Sequence, residues 1–262
     1  MGKRVIEKGT AALFVAAVAA ACVLFLLPKD KTMGGVIRIG CGDDISGVLA
    51  TRICEAAEQR GLGEDFAVQY VFADCCSNAA QWALETGDID MGFYCSAAAH
   101  SLVSALDEYE IYSPAIINSE VLAVRKGEDP AAARKLGMPR GREHLDSIVL
   151  RMYPDITEVS RVNRGYLMYA LRSGDVDAVI VDVSAVSGLV DEADLYPLSD
   201  IDYISYCLVI RKDLKNTRYF KNFLACLDQA TEELNLPSAQ YQCMGMNEEF
   251  WQSTGLRFIG SN

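Results

Sequence analysis

Ala83-Leu84-Glu85-Thr86-Gly87-Asp88-Ile89-Asp90 has an echo further along the chain, Ala170-Leu171-Arg172-Ser173-Gly174-Asp175-Val176-Asp177. In both stretches a helical run stops at glycine, the residue that best tolerates the left-handed turn of a helix C-cap, and a strand follows at once. The repetition predicts two α/β units of similar build. Working outward from the first copy, 36–40 reads as a short buried strand, and Ser46 opens a helix that runs to about Arg60 and stops at Gly61. Residues 66–73 are strongly β-forming through Val68, Tyr70, Val71 and Phe72. Ser77 or Asn78 can cap the next helix, and 89–94 is the third strand. Strand, helix, strand, helix, strand implies a parallel sheet with right-handed crossovers.

The second copy sits in a matching series: a strand near 134–138, a helix over about 142–153, a strand near 157–162, a helix to Ser173 and a strand at 178–183. Segments 120–126 and 205–212, each ending in a lysine before a turn, read as crossings between the units. Helices at 219–233 and 238–253 are expected to pack back on the first. The expectation is an α/β protein of two lobes, 32–122 with 208–262 and 123–207, joined by a hinge of two crossover strands. A hinge implies a cleft that closes on a ligand.

An apolar fraction of 51% and a charged fraction of 23% are those of a globular protein with an adequate core. The net charge of −12 argues against nucleic acid and against an anionic membrane surface as partners. The N-terminus is more decisive. Lys3, Arg4 and Lys8 precede an uncharged apolar run over 11–27, which ends at Pro28-Lys29-Asp30-Lys31. As a helix that run spans about 25 Å, enough for a short membrane anchor, with the preceding cations favouring an N-in, C-out orientation. Residues 1–31 therefore read as an N-terminal membrane helix. A signal peptide competes, although no A-x-A site follows the run. A lipoprotein box at Ala19-Ala20-Ala21-Cys22 competes too, although it lacks the large aliphatic residue three before the cysteine. Each alternative places the body of the protein outside the cytoplasm.

The chain holds nine cysteines. Cys54 and Cys226 fall inside helical patterns as small core residues, and Cys207 reads as core in the returning strand. Three segments instead place cysteine where a strand gives way to a loop: Gly40-Cys41-Gly42, Asp74-Cys75-Cys76-Ser77 and Phe93-Tyr94-Cys95-Ser96. In an open α/β sheet the carboxyl ends of neighbouring strands line the ligand crevice. Cys41, Cys75, Cys76 and Cys95 are thus expected to converge as ligands for a soft metal or organometal, since thiolates select such centres over hard cations. Ser77 at a helix start would present the thiol pair to the helix dipole, and Asp43, Asp44 and Asp74 would favour a cationic guest. Cys75-Cys76 as a vicinal disulfide is the alternative. Met244 and Met246, beside Cys243, add further soft donors.

From about Val36 to its end the chain resembles a type 2 periplasmic solute-binding protein, the receptor of an ABC importer. The resemblance rests on Val36-Ile37-Arg38-Ile39-Gly40 after an export segment, on 84–92 with its Gly-Asp-Ile-Asp core, on 118–126 and on 171–180. Cysteines in the cleft loops depart from the family's usual Ser, Thr, Tyr and Asn. They are similar to those of receptors assigned to selenocysteine-assisted organometal transport. The resemblance implies a monomer with no cofactor, a small-molecule or organometal ligand and an ABC permease as partner. For the second lobe, Arg140 and Arg164 follow strands, where backbone N–H groups commonly hold anions, and Asp182 ends the next strand. Either arginine would bind a ligand carboxylate or pair across the cleft with Asp43 or Asp44. Tyr94, Tyr153 and Tyr166 are candidate aromatic walls, while His100 and His144 read as structural or exposed.

The leading expectation is a receptor for a thiophilic solute. An ordinary organic ligand, such as an amine, amino acid or pyrimidine precursor, stands as the alternative. An organometal-cleaving or redox enzyme built on Cys75, Cys76 and Asp74 is a third reading. No C-x-x-C motif supports it, and neither histidine falls in a predicted strand-end loop to serve as a base. No Walker, dinucleotide-binding or H-E-x-x-H motif is present, so no enzymatic activity is expected.

Overall fold

The computed structural model describes residues 36–73, 75, 78–245 and 247–261. The expected membrane segment with Cys22, and the residues Asp74, Cys76, Ser77 and Met246, lie outside them. Among the described residues no helix is long and apolar enough to cross a membrane.

Two sheets carry the fold. In the first, β1 (Ile37–Gly42), β2 (Phe66–Phe72), β3 (Met91–Cys95), β4 (Tyr109–Ile117), β10 (Ile204–Arg211) and β11 (Arg257–Phe258) run in the order β11-β4-β10-β3-β1-β2. In the second, β5 (Glu120–Arg125), β6 (Lys135–Pro139), β7 (Glu158–Val162), β8 (Ala178–Asp182) and β9 (Ala193–Pro197) run β7-β6-β8-β5-β9. The sequence echo is a topological one. β1 lies parallel between β2 and β3, just as β6 lies parallel between β7 and β8. Next to each parallel trio comes one antiparallel strand, β10 beside β3 and β5 beside β8. The helices that lead into β3 and β8 are α2 (Asn78–Glu85) and α5 (Leu167–Ser173). Both turns use glycine in the left-handed region, Gly87 at φ 69° and Gly174 at φ 79°.

The segments read as crossings are sheet strands. β5 pairs with β8 and β9, and β10 pairs with β3 and β4. Their apolar runs, Val121 to Val124 and Leu208 to Ile210, are fully buried and therefore need neighbours on both sides. The chain instead changes sheet at Asn118-Ser119 and over 198–203. There Asn118, at φ 59°, clips the two passages together. Its amide donates to Asp202 Oδ1 at 2.9 Å, its Oδ1 accepts from Tyr203 N at 3.0 Å, and Ser119 N donates to Ser205 Oγ at 2.9 Å.

Helix α1 (Ile45–Gln59) buries Leu49, Ala50, Ile53, Ala56 and Ala57 and packs on α6 (Arg218–Leu234). α6 buries Phe220, Phe223, Leu227, Ala230 and Leu234 at helical spacing. Three further helices are α3 (Ser96–Ala105), α4 (Asp146–Met152) and α7 (Pro237–Met244). The stretch 238–253, read as one helix, is two. Gly245 turns at φ 66°, and Asn247 caps α8 (Glu248–Thr254) by accepting from Phe250 N at 2.8 Å.

Candidate functional site

The site starts where β1 ends. Gly42 has no Cβ, and one there would collide with the Asp44 carboxylate, which folds back over it. Asp44 is the N-cap of α1. Its Oδ1 accepts from Ser46 N at 3.0 Å and Ser46 Oγ at 2.6 Å, while Ser46 Oγ accepts from Gly42 N at 2.8 Å. Asp44 Oδ2 accepts from Tyr206 OH of the same sheet at 2.7 Å and lies 3.7 Å from Nη1 of Arg164, which follows β7 of the second sheet.

Tyr206, on β10, receives a bond of 2.5 Å from Arg142 Nη2, and the guanidinium lies over its ring, 5.0 Å from the centroid. Arg142 follows β6 and reaches across from the second half of the chain. Its Nη1 is 3.1 Å from Glu120 Oε1 at the start of β5, and Glu120 Oε2 accepts from Ser205 Oγ at 2.9 Å. Burial opposes the charge of Arg142, but Tyr206, Cys75 and Glu120 outweigh it and hold its pKa well above the ordinary value. Burial likewise pushes the Tyr206 hydroxyl far up, so it stays a neutral relay between guanidinium and carboxylate.

Asp182 closes β8. Its Oδ1 accepts from Ile45 N at 3.0 Å, from Ser184 N at 2.9 Å and from Ser184 Oγ, so one carboxylate spans both sheets' loops. Burial, then the nearby negative charge of Asp44, pushes this carboxyl up to about 7, against the pull of the Ser184 bonds. Its Oδ2 is buried and receives no hydrogen bond among the described residues. A cavity of about 180 Å³ opens here, lined by Asp44, Glu120, Arg140, Arg142, Asn163, Arg164 and Asp182. Leu167, Met168, Ile180, Val181 and Leu189 give it an apolar flank.

Of the residues expected to form the site, Arg140, Arg164 and Asp182 line this cavity. The Arg164 to Asp44 contact is the cross-cleft pairing. Asp43 lines a second, wider hollow with Cys41, Arg52 and Glu55. Cys41 is buried within β1, and burial pushes its thiol up to about 12. Cys95 is the buried last residue of β3, paired with Tyr206. Cys75 is buried in the turn before α2, with its Sγ 4.0 Å from Arg142 Nη2. Tyr94 points into the core, where its hydroxyl donates to Ala80 O at 2.9 Å and burial raises its pKa. Tyr153 is buried against the second sheet, with its hydroxyl donating to Pro197 O at 2.6 Å, and Tyr166 is exposed. Cys76, Asp74 and Ser77 lie outside the described residues. Among the described residues no group of three or more His, Cys, Asp or Glu side chains is arranged to hold a metal ion.

Three members of the network escaped sequence reasoning. Glu120 carries a signal, a carboxylate opening an otherwise apolar strand. Arg142 stands two residues beyond Arg140, the arginine that the sequence reading names after that strand. Tyr206 gives none, since a tyrosine in a buried strand usually packs as core. His144, read as structural, is half-buried beside Arg142. Neither ring nitrogen has a hydrogen-bond partner among the described residues, and burial followed by the Arg142 charge depresses its pKa.

No family model matches this chain, and a comparison with curated proteins found no match. Solved structures do match. The ligand binding component of an ABC-type import system from Staphylococcus aureus, with zinc bound, superposes with a TM-score of 0.69 at 14% identity, covering 87% of this chain and 86% of that one. The periplasmic aliphatic sulphonate binding protein SsuA from Escherichia coli gives 0.59 at 18% identity, covering 85% and 75%. The alkanesulfonate-binding protein SsuA from Xanthomonas axonopodis pv. citri, bound to MOPS, gives 0.58 at 16%, covering 84% and 83%. The chain therefore has the mixed α/β, two-sheet fold of periplasmic solute-binding proteins.

Proposed function

We propose that this protein is the extracytoplasmic solute receptor of an ABC importer, holding a small organic solute in the cavity between its two sheets and presenting it to a membrane permease. The observation that carries the reading is the cavity itself. Asp44 of the first half meets Glu120, Arg142, Arg164 and Asp182 of the second there, and within the wall the buried Asp182 Oδ2 accepts no hydrogen bond among the described residues. A buried polar group without a partner is costly, and a shift of this wall on ligand binding would relieve it. The architecture of the structural neighbours supports the receptor role. No covalent step is needed, and closure of lobes 32–122 with 208–262 against 123–207 about the Asn118 clip would carry the signal. The N-terminal run over 11–27 would tether the body outside the cytoplasm, as a helix or through Cys22.

The thiophilic ligand expected from the cysteines is the second reading. It is favoured by Cys75, whose sulfur touches the charged network through Arg142. Cys41 faces another hollow and is held as a thiol, which is why the organic solute leads. The test is a melting-temperature screen of the full chain in mild detergent, against small polar solutes and against methylmercury chloride. Saturable stabilisation by an organic solute, lost in Asp182→Asn and kept in Cys75→Ser/Cys76→Ser, supports the leading reading. Stabilisation by methylmercury alone, lost in the double cysteine variant, replaces it with the second. No stabilisation by either overturns both.

A further inference from the structure

We infer that α7 with the Gly245 turn is a flap: seated, it clamps the turn Val183–Gly188, and it lifts from that turn as a unit. The flap belongs to an arm with a closed base. Asn235, just past α6, and Phe258, in β11, pair through two hydrogen bonds, Asn235 Nδ2 to Phe258 O at 2.8 Å and Phe258 N to Asn235 Oδ1 at 3.0 Å. Gly255 O, shortly before Phe258, accepts from Asn118 Nδ2 at 3.1 Å where the chain changes sheet. Between these stitches the arm crosses to the second half of the chain. There α7 lies against 183–188 and α8 reaches β9. α8 is held in place, with Trp251 and Thr254 buried. α7 is not held in the same way.

Among the described side chains of α7 only Gln240 is fully buried, at 1% exposure, and neither end of its amide has a hydrogen-bond partner among the described residues. A seat made through an unpaired amide carries the desolvation cost of that group, and lifting the flap returns the amide to water. Gly245 stands at φ 66°, where a Cβ would come within 2.9 Å of Ser187 Cβ and 3.3 Å of its Cα. The turn therefore meets its clamp only because a side chain is missing. Beside that contact a cavity of about 220 Å³ lies between Val186, Val190 and Leu195 of the second half and Gly245, Asn247 and Phe250 of the arm, so this side of the joint is not close-packed. The clamped turn has a second face. Asp182 caps it by accepting from Ser184 N at 2.9 Å, and Ala185 and Leu189 line the cavity between the sheets. What loosens the flap thus loosens that wall, and what fixes the wall seats the flap to the same degree.

The test is hydrogen–deuterium exchange on the full chain in mild detergent, with no solute added, so that its outcome is independent of the receptor reading. Native protein, Gln240→Leu and Gly245→Ala are compared. Leucine fills a similar space with no polar group, so Gln240→Leu should slow exchange over 184–189 and 239–244 together by about tenfold, the scale of one relieved unpaired polar group. Gly245→Ala forces a left-handed alanine against Ser187 and should speed both segments together by about the same factor. The amides of α1 over 49–57 should keep their native rates in both variants. Changes of opposite sign in the two variants, shared by the two segments, support the flap. A change confined to 239–244, with 184–189 unmoved, overturns the clamp. Exchange in Gln240→Leu as fast as in the native protein, or faster, overturns the costly seat. An equal change in α1 marks general destabilisation in place of a local lift and overturns the flap as well. Should Gly245→Ala fail to fold, Gln240→Leu decides by the same criteria.

Discussion

Tyr206 has one hydroxyl and two charged partners, which makes Tyr206→Phe a sharp perturbation. The ring is wholly buried and would stay in place under Arg142. What is lost is the bond of 2.7 Å to Asp44 Oδ2 and the bond of 2.5 Å from Arg142 Nη2. A hydrogen bond to a charged group contributes about 1.5–3 kcal/mol. Both partners keep other contacts, Arg164 for Asp44 and Glu120 for Arg142, so the lower end applies to each. The expected loss is about 3 kcal/mol, or roughly 6–12 °C in Tm for a body of this size. Tyr203→Phe is the contrast. Its hydroxyl makes long bonds to the Glu120 backbone, 3.2 Å from N and 3.3 Å from O, beside the Glu120 and Ser205 side chains, and its removal should cost about 1–1.5 kcal/mol. Urea unfolding of the full chain in detergent, with thermal melts beside it, measures both. A Tyr206→Phe loss below that of Tyr203→Phe would refute the view that this network ties the two sheets.

The Asp182 carboxyl keeps its proton to about pH 7 when folded, whereas an unfolded aspartate loses it near about pH 4. Between those values the native state binds the extra proton, so stability of the unliganded protein should fall as pH rises, by at most about 4 kcal/mol, and flatten above 7. Asp182→Asn should abolish that slope in urea titrations at stepped pH. Asp90 is buried and paired with two arginines, through Arg38 Nε at 2.9 Å and through Arg211, itself buried. Asp90→Ala leaves the buried Arg211 guanidinium only its contact with Asp213, at 2.6 Å, and should destabilise by up to about 3 kcal/mol in the same assay. Burial pushes the Cys41 and Cys207 thiols up to about 12 and about 11. Peptide-resolved iodoacetamide labelling at pH 8 should therefore find Cys41 at least about a thousandfold slower in the native protein than in urea.

The repeat over 83–90 and 170–177 made the two parallel trios legible, because a glycine-capped helix running into a strand is a local device. Strand existence was legible for the same reason, since runs such as Val121 to Val124 are β-forming wherever they pair. Which sheet they join is not a local property. β5 and β10 looked like crossings because each ends in a basic residue before a turn, yet burial on both faces draws them into the sheets. The site was legible where a polar residue ends a strand, as at Arg140, Arg164 and Asp182. It was illegible where a long side chain crosses between halves. Arg142 meets Glu120 and Tyr206 only because the chain returns through 198–203, and no spacing in the sequence records that. The cysteines share strand ends but not one cavity: Cys41 lines the second hollow, while Cys75, in the turn beyond β2, is buried 4.0 Å from Arg142 Nη2.

The central claim is that one solute is gripped by both sheets at once. Hydrogen–deuterium exchange on the full chain, with and without the most stabilising solute of the melting-temperature screen, tests it directly. The prediction is simultaneous protection of the turn over 43–47, which opens α1, and of 182–185, which closes β8, in proportion to occupancy. Protection confined to one of these turns, or found only around 75–78 and 95–96, would contradict the account.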